Sequence, residues 1–140
     1  QLSAIVIQEE VEPRRIQIEV TETTLVKNLD RSKSQMLQLK NMGFKFSLDD
    51  FGTGYSSFNY LRQFPIDEVK IDQSFVHGLP EDHESLAIIK SVVALAPTFG
   101  FTVIAEGIEN IEQEKTLINN GCTHFQGYFY SKPKPLEALF

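Results

Sequence analysis

Residues 36–50, MLQLKNMGFKFSLDD, contain in one stretch the pattern that decides the fold. Met36, Leu39 and Met42 recur at helical spacing, and Gly43 follows them directly. Glycine tolerates the left-handed conformation in which many helices end. A short apolar run comes after the glycine, and two carboxylates close it. The stretch therefore predicts a helix, a buried strand and a polar strand end, in that order.

The same order recurs along the chain, where Gly100 and Gly121 also separate an amphipathic stretch from a short apolar run. The predicted strands are Ile16–Val20, Phe44–Leu48, Glu68–Ile71, Thr102–Ala105 and Thr123–Phe125. The predicted helices are Leu2–Val11, Ser32–Met42, Glu81–Phe99 and Ile111–Asn120. We expect a capping box of Ser32 and Gln35 to begin the second helix, and Asn110 to cap the fourth. Such a repeat is typical of βα units and a parallel sheet.

Polar side chains lie at the C-terminal end of each predicted strand. In chain order they are Glu19 to Glu22, Asp49 with Asp50, Lys70 with Asp72, Glu106, and Gln126. A TIM barrel gathers functional groups at that rim, whereas an open doubly wound sheet gathers them from fewer strands. The pattern therefore favours an α/β fold, here an incomplete TIM-like barrel of about five βα units. A closed barrel needs eight strands and about 250 residues, so about three units are expected on the N-terminal side.

Composition bounds the function. The 140 residues suit one domain, and 13 Lys+Arg against 19 Asp+Glu give a formal net charge of −6. This acidity argues against a nucleic-acid polymer or an anionic membrane as partner. No apolar run is long enough for a membrane span. The single cysteine, Cys122, favours a reducing compartment, and a first residue other than Met suggests a piece of a longer product.

Carboxylates at the strand ends suggest a metal site. Glu19 stands between two β-branched residues, where a carboxylate is costly unless it is paired or bound to metal. The adjacent Asp49 and Asp50 repel each other, and a divalent cation with hard-oxygen preference, Mg²⁺, Mn²⁺ or Ca²⁺, would relieve that repulsion. The alternatives are an inward salt bridge for Glu19 and a turn with a helix cap for the aspartates.

The predicted site also contains a basic side chain, Lys70, and an amide side chain, Gln126. Lys70 lies between apolar neighbours, so its ammonium is expected to point into the barrel, unless it forms a structural ion pair with Asp72 or Glu68. Gln126 is followed by a glycine and aromatic residues, which could bind a planar base or simply pack. Acidic strand ends around one inward lysine describe metal-assisted phosphoester hydrolysis.

These residues resemble the EAL domain, the cyclic di-GMP phosphodiesterase family of bacterial signalling. The matching motifs are Glu19-Val20-Thr21-Glu22, residues 49–57 (DDFGTGYSS), Lys70-Ile71-Asp72, residues 105–109 (AEGIE) and Gln126-Gly127-Tyr128. Their order and spacing also fit, and the run of residues 49–54 is highly specific.

The resemblance implies a TIM-like barrel with one antiparallel strand and a two-metal site for Mg²⁺ or Mn²⁺. It implies that Glu19 and Asp49 coordinate metal and that Asp50 and Glu106 complete the second metal position. It implies that Lys70, Glu106 and Glu109 are the catalytic residues, and that Lys70 positions or activates the attacking water. The implied reaction is hydrolysis of cyclic di-GMP to linear pGpG.

The remaining roles implied by the resemblance are supporting ones. Glu22 and Asp72 steady loops, Glu109 supports the catalytic site, and Gln126 and Tyr128 bind the substrate where guanine is contacted. The implied partners are cyclic di-GMP, a second copy in a homodimer, and an upstream sensory or GGDEF-type domain. The implied location is the cytoplasm, or the cytoplasmic part of a membrane-anchored protein.

The signature Glu-Ala-Leu near the family's domain start is not in this sequence, nor is an asparagine motif that supplies another metal ligand. Glu137-Ala138-Leu139 spells the signature, but it follows Pro133 and Pro135 in a predicted closing helix, far from any strand end. We therefore expect residues 1–140 to be the C-terminal portion of one EAL domain, inactive alone. The alternatives are an inactive cyclic di-GMP receptor and a regulatory or assembly fragment.

Overall fold

A computed structural model describes residues 2–53 and 58–139 of the chain. Gly54, Tyr55, Ser56 and Ser57 of the predicted motif lie outside the described residues. The strands are β1 Gln17–Thr21, β2 Lys45–Phe51, β3 Glu68–Ile71, β4 Thr102–Ala105 and β5 His124–Phe125. The helices are α1 Leu2–Gln8, α2 Glu22–Val26, α3 Leu29–Asn41, α4 Phe58–Gln63, α5 Gln73–Val76, α6 His83–Phe99 and α7 Ile111–Asn119. Two 3-10 turns cover Pro13–Arg15 and Leu136–Ala138.

The five strands form one parallel sheet in the order β1-β2-β3-β4-β5. The prediction of a parallel α/β fold is therefore confirmed, and each predicted strand is present within a few residues of its expected bounds. The antiparallel strand implied by the family resemblance is not among these five. Because all strands run the same way, their C-terminal ends meet at one edge of the sheet.

The two faces of the sheet differ in polarity because neighbouring residues of a strand point to opposite sides. One face packs against the helices and contributes Phe46, Leu48, Val69 and Ile71 to a continuous core with residues from α3, α6 and α7. Burying a side chain of this size stabilises a fold by about 1.5–3 kcal/mol. The other face carries polar groups, of which Ser47 is completely buried. The core thus holds the polar face in place.

Among the described residues, side chains cap the starts of five helices: Thr21 for α2, Asn28 for α3, Asp72 for α5, Asp82 for α6 and Asn110 for α7. The starts of α3 and α6 differ from the prediction. The predicted capping box of Ser32 and Gln35 is wrong, because Asn28 caps α3 instead. The Asn28 side chain accepts a hydrogen bond from the Arg31 N–H, and its carbonyl accepts one from the Ser32 N–H, so Ser32 lies within the helix. Asp82 caps α6, which therefore begins at His83 rather than at Glu81. Asn110 caps α7, as predicted.

The two ends of the described chain carry little regular structure. Helix α1 ends at Gln8, before the predicted Val11, and Glu10 just beyond it has a positive φ of 52°. The predicted closing helix is one exposed 3-10 turn, Leu136–Ala138. Within the described ranges, no helix combines the length and the apolar character needed to cross a membrane.

Candidate active site

A bulge in β2 turns two adjacent carboxylates towards one cleft. Leu48 pairs with Val69 and Phe51 with Ile71, so two residues of β2, Asp49 and Asp50, stand opposite a single residue of β3. Asp50 has a left-handed φ of 56°, which is uncommon for a residue with a side chain. Regular pleating would send neighbouring side chains to opposite faces. The bulge instead lets both aspartates line the same cleft.

Lys70 lies at the centre of the polar strand ends. Its Nζ is 2.7 Å from Glu106 Oε1, 3.0 Å from Glu19 Oε1 and 3.7 Å from Asp49 Oδ1. The lysine side chain is 9% exposed, whereas that of Glu19 is 55% exposed. One buried ammonium therefore joins carboxylates that belong to β1, to β2 and to the end of β4.

The surroundings shift the pKa of three groups. Burial alone would lower the pKa of Lys70, but hydrogen bonds to Glu106 and Glu19 outweigh it and raise the pKa above its usual value. Burial raises the pKa of Glu106 against the opposing effect of Lys70. Burial and the charges of Asp49 and Asp72 raise the pKa of Asp50. Lys70 therefore stays protonated in a site where carboxylates outnumber it.

The wall after β5 is held by backbone hydrogen bonds. The Gln126 N–H donates to the Ala105 carbonyl at 2.9 Å, and the Ile108 N–H donates to the Gln126 carbonyl at 3.2 Å. Gly127 packs directly on the Ile108 backbone, where a Cβ would lie 2.2 Å from the Ile108 carbonyl oxygen. Only glycine fits at that distance, and the contact fixes the position of Gln126 and Tyr128 on either side of it.

These elements enclose a cleft of about 340 Å³ at the C-terminal edge of the sheet. Its described lining consists of Asp49, Asp50, Asp72, Gln73, Glu106, Gly107, Glu109, Gln126, Gly127 and Tyr128. The exposed Tyr128 ring has the Lys132 ammonium 5.6 Å from its centre. The cleft therefore combines acidic groups on its floor with two amides and an aromatic ring on its sides.

The structure also places the supporting residues. Asp72 lines the cleft and caps α5 by accepting a hydrogen bond from the Ser74 N–H at 2.9 Å. Glu109 lies at the cleft with its Oε1 3.7 Å from His77 Nε2. Glu22 is buried at the start of α2, among apolar residues on the helix side of β2, and is not part of the described cleft lining.

The alternative ion pair of Lys70 with Asp72 or Glu68 is wrong. The described salt-bridge partners of Lys70 are Glu19, Asp49 and Glu106. Glu68 instead accepts hydrogen bonds from the Gln17 amide at 2.6 Å and from the Ser47 hydroxyl at 2.9 Å. Gln17, Ser47 and Glu68 form a separate polar layer on the same face of the sheet, nearer the N-terminal ends of the strands.

The donor chemistry of the cleft fits a divalent cation. Asp49, Asp50 and Glu106 of the cleft lining supply carboxylate oxygens, the ligands that Mg²⁺ and Mn²⁺ prefer. Glu19 is not part of the described lining, and its carboxylate contacts Lys70 beside the cleft. Burial and, after it, the charges of Asp49 and Asp72 raise the pKa of Asp50, and a cation would offset the repulsion between these like charges. Across residues 2–53 and 58–139, however, no three Asp, Glu, His or Cys side chains converge as a ready-made metal site.

Sequence reasoning missed Gln73 and the role of Gly107. Both line the cleft, and Gly107 has a positive φ of 72° that brings it against Gln73. A Cβ on Gly107 would lie 2.4 Å from Gln73 Cβ. Gln73 directly follows Asp72 at the end of a predicted strand, and this position in the sequence could have marked it as a residue of the cleft.

Comparisons with known proteins agree with this geometry. A family model described as the EAL domain matches residues 1–133. The bifunctional diguanylate cyclase/cyclic di-GMP phosphodiesterase MucR of Pseudomonas aeruginosa is 41% identical over 129 residues, which are 92% of this chain and 19% of MucR. The solved PaMucR phosphodiesterase in complex with c-di-GMP superposes with a TM-score of 0.93 at 38% identity, over 99% of this chain and 56% of that one.

A manganese/cy-diGMP complex of Klebsiella pneumoniae BlrP1 superposes with a TM-score of 0.88 at 34% identity. The match covers 94% of this chain and 34% of the BlrP1 chain. The chain spans less than two thirds of the length of each of these proteins. The fold of TIM-like EAL domains is thus matched over part of their length.

Proposed function

Because the chain belongs to the EAL domain family, we propose that it forms the C-terminal portion of a domain that hydrolyses cyclic di-GMP to linear pGpG. The observation that carries the proposal is the ammonium of Lys70, within 3.7 Å of carboxylates from Glu19, Asp49 and Glu106 beside an acidic cleft. Support also comes from relatives whose names include cyclic di-GMP phosphodiesterase activity.

Substrate binding uses the sides of the cleft. Gln126 offers an amide donor and acceptor to the edge of a guanine base, and the exposed ring of Tyr128 offers a face for stacking. The backbone hydrogen bonds around Gly127 fix the backbone from which these two side chains project before the substrate arrives. Binding is therefore preorganised on this wall.

An acidic cleft cannot hold a phosphodiester through these residues alone, because the like charges repel. Glu19, Asp49, Asp50 and Glu106 would hold two divalent cations, Mg²⁺ or Mn²⁺. When bound, such cations neutralise phosphate charge and lower the pKa of a water molecule. The bulge at Asp49 and Asp50 provides two adjacent carboxylates for this purpose.

Lys70 acts through its charge and its N–H groups. Its ion pairs keep the ammonium protonated, so it orients the attacking water and stabilises negative charge that develops on the phosphate oxygens. Asp72 and Glu22 steady the elements on either side, and Glu109 supports the mouth of the cleft. Each residue thus has a role that its location allows.

A second candidate function is a cyclic di-GMP receptor that does not hydrolyse its ligand, or a regulatory fragment. The observation that favours it is that, among the described residues, no three Asp, Glu, His or Cys side chains come together as a metal-binding group.

The proposal also covers partners and location. The complete protein acts as a homodimer with an upstream sensory or GGDEF-type domain, and MucR, described as bifunctional, gives an example of combined cyclase and phosphodiesterase activities. Its place is the cytoplasm, where a bacterial second messenger acts.

The test is hydrolysis of cyclic di-GMP by the complete domain that contains these residues, with Mg²⁺ or Mn²⁺ and product analysis by chromatography. We expect linear pGpG to accumulate. Binding of cyclic di-GMP by calorimetry without pGpG formation would favour the receptor. Neither binding nor turnover would contradict both candidates.

A further inference from the structure

Gln113, in the first turn of α7, is a buried polar residue with both ends of its amide in use. It is 3% exposed. Its Oε1 accepts a hydrogen bond from the Glu109 N–H at 2.8 Å, and its Nε2 donates to the His77 carbonyl at 3.5 Å. Its own N–H donates to Asn110 Oδ1 at 2.9 Å. A buried amide satisfied in this way specifies one arrangement of its partners.

The partners of Gln113 belong to two different walls of the cleft. Glu109 lies in the loop from Glu106 to Asn110, which follows β4, whereas His77 follows α5, the helix that begins directly after Asp72. Both walls contribute lining residues. Gln113 therefore ties the β4 loop to the end of α5.

A second contact between the same walls lies at the cleft itself. Gly107 of the β4 loop packs on Gln73 of α5, where a Cβ on the glycine would lie 2.4 Å from Gln73 Cβ. The walls thus meet at two points, one beside the carboxylates and one at Gln113. Two points of contact fix both the separation and the angle of the walls, which a single contact would leave free to pivot.

We propose that Gln113 is a positioning residue that holds the β4 loop and α5 at the separation the cleft requires. It lies outside the described lining of the cleft and acts through Glu109 and through the wall formed by Asp72 and Gln73. The expected effect of Gln113 on turnover rests on the proposed function. The expected effect of Gln113 on the Glu109 amide is independent of the proposed function.

The test compares three variants of the complete domain. Gln113→Met keeps the length of the side chain and removes both amide contacts. Gln113→Glu keeps an acceptor for the Glu109 N–H. Asn110→Ala is the matched control, because it weakens the same end of α7 and leaves the Gln113 side chain intact. The readouts are amide exchange at Glu109 by NMR, kcat and KM for cyclic di-GMP, and Tm.

We expect Gln113→Met to speed exchange of the Glu109 amide by about 100-fold and to lower kcat by about tenfold. Gln113→Glu keeps slow exchange at Glu109 and retains kcat within about threefold. Asn110→Ala lowers Tm by as much as Gln113→Met and keeps kcat within about twofold.

Equal kcat in Gln113→Met and Asn110→Ala would show that Gln113 only stabilises the start of α7, and it would overturn the proposal. If Gln113→Met fails to fold, Gln113→Glu decides: fast exchange at Glu109 with unchanged kcat contradicts the proposal. If the unsubstituted domain shows no turnover, the proposed function fails, and exchange at Glu109 still tests the tether, because unchanged exchange in Gln113→Met contradicts it.

Discussion

The ammonium of Lys70 lies 2.7 Å from the Oε1 of Glu106, across the junction between β3 and the end of β4. The same nitrogen also contacts Glu19 on β1 and Asp49 on β2. One cation therefore stabilises the ends of four strands, and any substitution of Lys70 affects stability as well as chemistry. Predictions for this site need controls that separate the two.

A polypeptide of these 140 residues is expected to have negligible phosphodiesterase activity in isolation. Among the described residues, no three Asp, Glu, His or Cys side chains come together as a metal-binding group. Misplaced groups around a catalytic metal cost several kcal/mol of transition-state stabilisation, so turnover is expected to be very slow. The measurement is a time course of pGpG formation with Mn²⁺. Robust turnover by a purified monomer of this length would contradict the expectation.

Asp49→Asn is expected to lower metal affinity and activity together in the complete domain, with activity falling at least about 100-fold. The reason is that Asp49 loses one anionic oxygen at the bulge, next to Asp50. Excess Mn²⁺ is expected to restore part of the activity. Titration of activity against Mn²⁺ measures this shift.

The control is Asp67→Asn, because Asp67 forms an ion pair with Lys40 and accepts a hydrogen bond from the Phe46 N–H, just before β3 and outside the described cleft lining. It is expected to lower stability and leave the Mn²⁺ requirement unchanged. An equal shift of the Mn²⁺ requirement in both variants would contradict a role of Asp49 as a metal ligand.

Gly127→Ala is expected to weaken binding of cyclic di-GMP. A Cβ at 2.2 Å from the Ile108 carbonyl oxygen forces the backbone apart and displaces Gln126 and Tyr128, at a cost of about 1–3 kcal/mol in stability. Calorimetric titration of the folded variant measures the affinity.

Gly100→Ala is the matched control, since Gly100 has a positive φ of 77° but no atom within 4 Å of an added Cβ. An alanine in this left-handed conformation at the end of α6 carries a strain of about 1–2 kcal/mol. Gly100→Ala is therefore expected to lower Tm and to leave the affinity for cyclic di-GMP unchanged. Equal losses of affinity in the two variants would show that the close contact at Gly127 does not organise the site.

Much of this architecture could be predicted from local sequence signals. The strands are short apolar runs, and Gly43, Gly100 and Gly121 all have the positive φ expected at helix ends. Asn110 caps α7 as its position predicts. The polar strand ends assemble because parallel strands bring their C-terminal ends to one edge.

Other features depend on contacts between distant residues. Helices α2, α4 and α5 have four to six residues, too few for a helical period to be visible. The bulge at Asp50 is a property of the pairing between β2 and β3, and no local pattern predicts it. The interstrand partners of Lys70 follow from register, which is why sequence neighbours such as Asp72 were the wrong choice.

Asp82→Ala is expected to lower Tm by a few degrees at pH 7, with the loss becoming smaller in acid, where only the acceptor oxygen of the protonated carboxyl still caps the helix. Hydrogen bonds from the Ser85 hydroxyl and backbone lower the pKa of Asp82 below its usual value. A carboxylate with a lowered folded pKa stabilises the fold above its unfolded pKa of about 4, and this contribution is lost as pH falls through the folded pKa.

Thermal unfolding between pH 7 and about pH 2 measures the difference. Asp82→Asn keeps an oxygen acceptor at the cap without the charge, so its Tm at pH 7 is expected to lie between those of the other two proteins. A Tm difference between Asp82→Ala and the unsubstituted protein that stays constant with pH would contradict the role of the charge.

The most direct test of the central claim is the kcat of Lys70→Ala in the complete domain, measured together with its affinity for cyclic di-GMP and its Tm. Lys40→Ala is the control, since Lys40 also forms an ion pair but contacts Asp67, outside the described cleft lining. We predict that Lys70→Ala lowers kcat at least about 100-fold, changes affinity little and lowers Tm, whereas Lys40→Ala lowers Tm alone. Near-normal kcat in folded Lys70→Ala, with only its Tm reduced, would make Lys70 a structural ion pair and contradict the account.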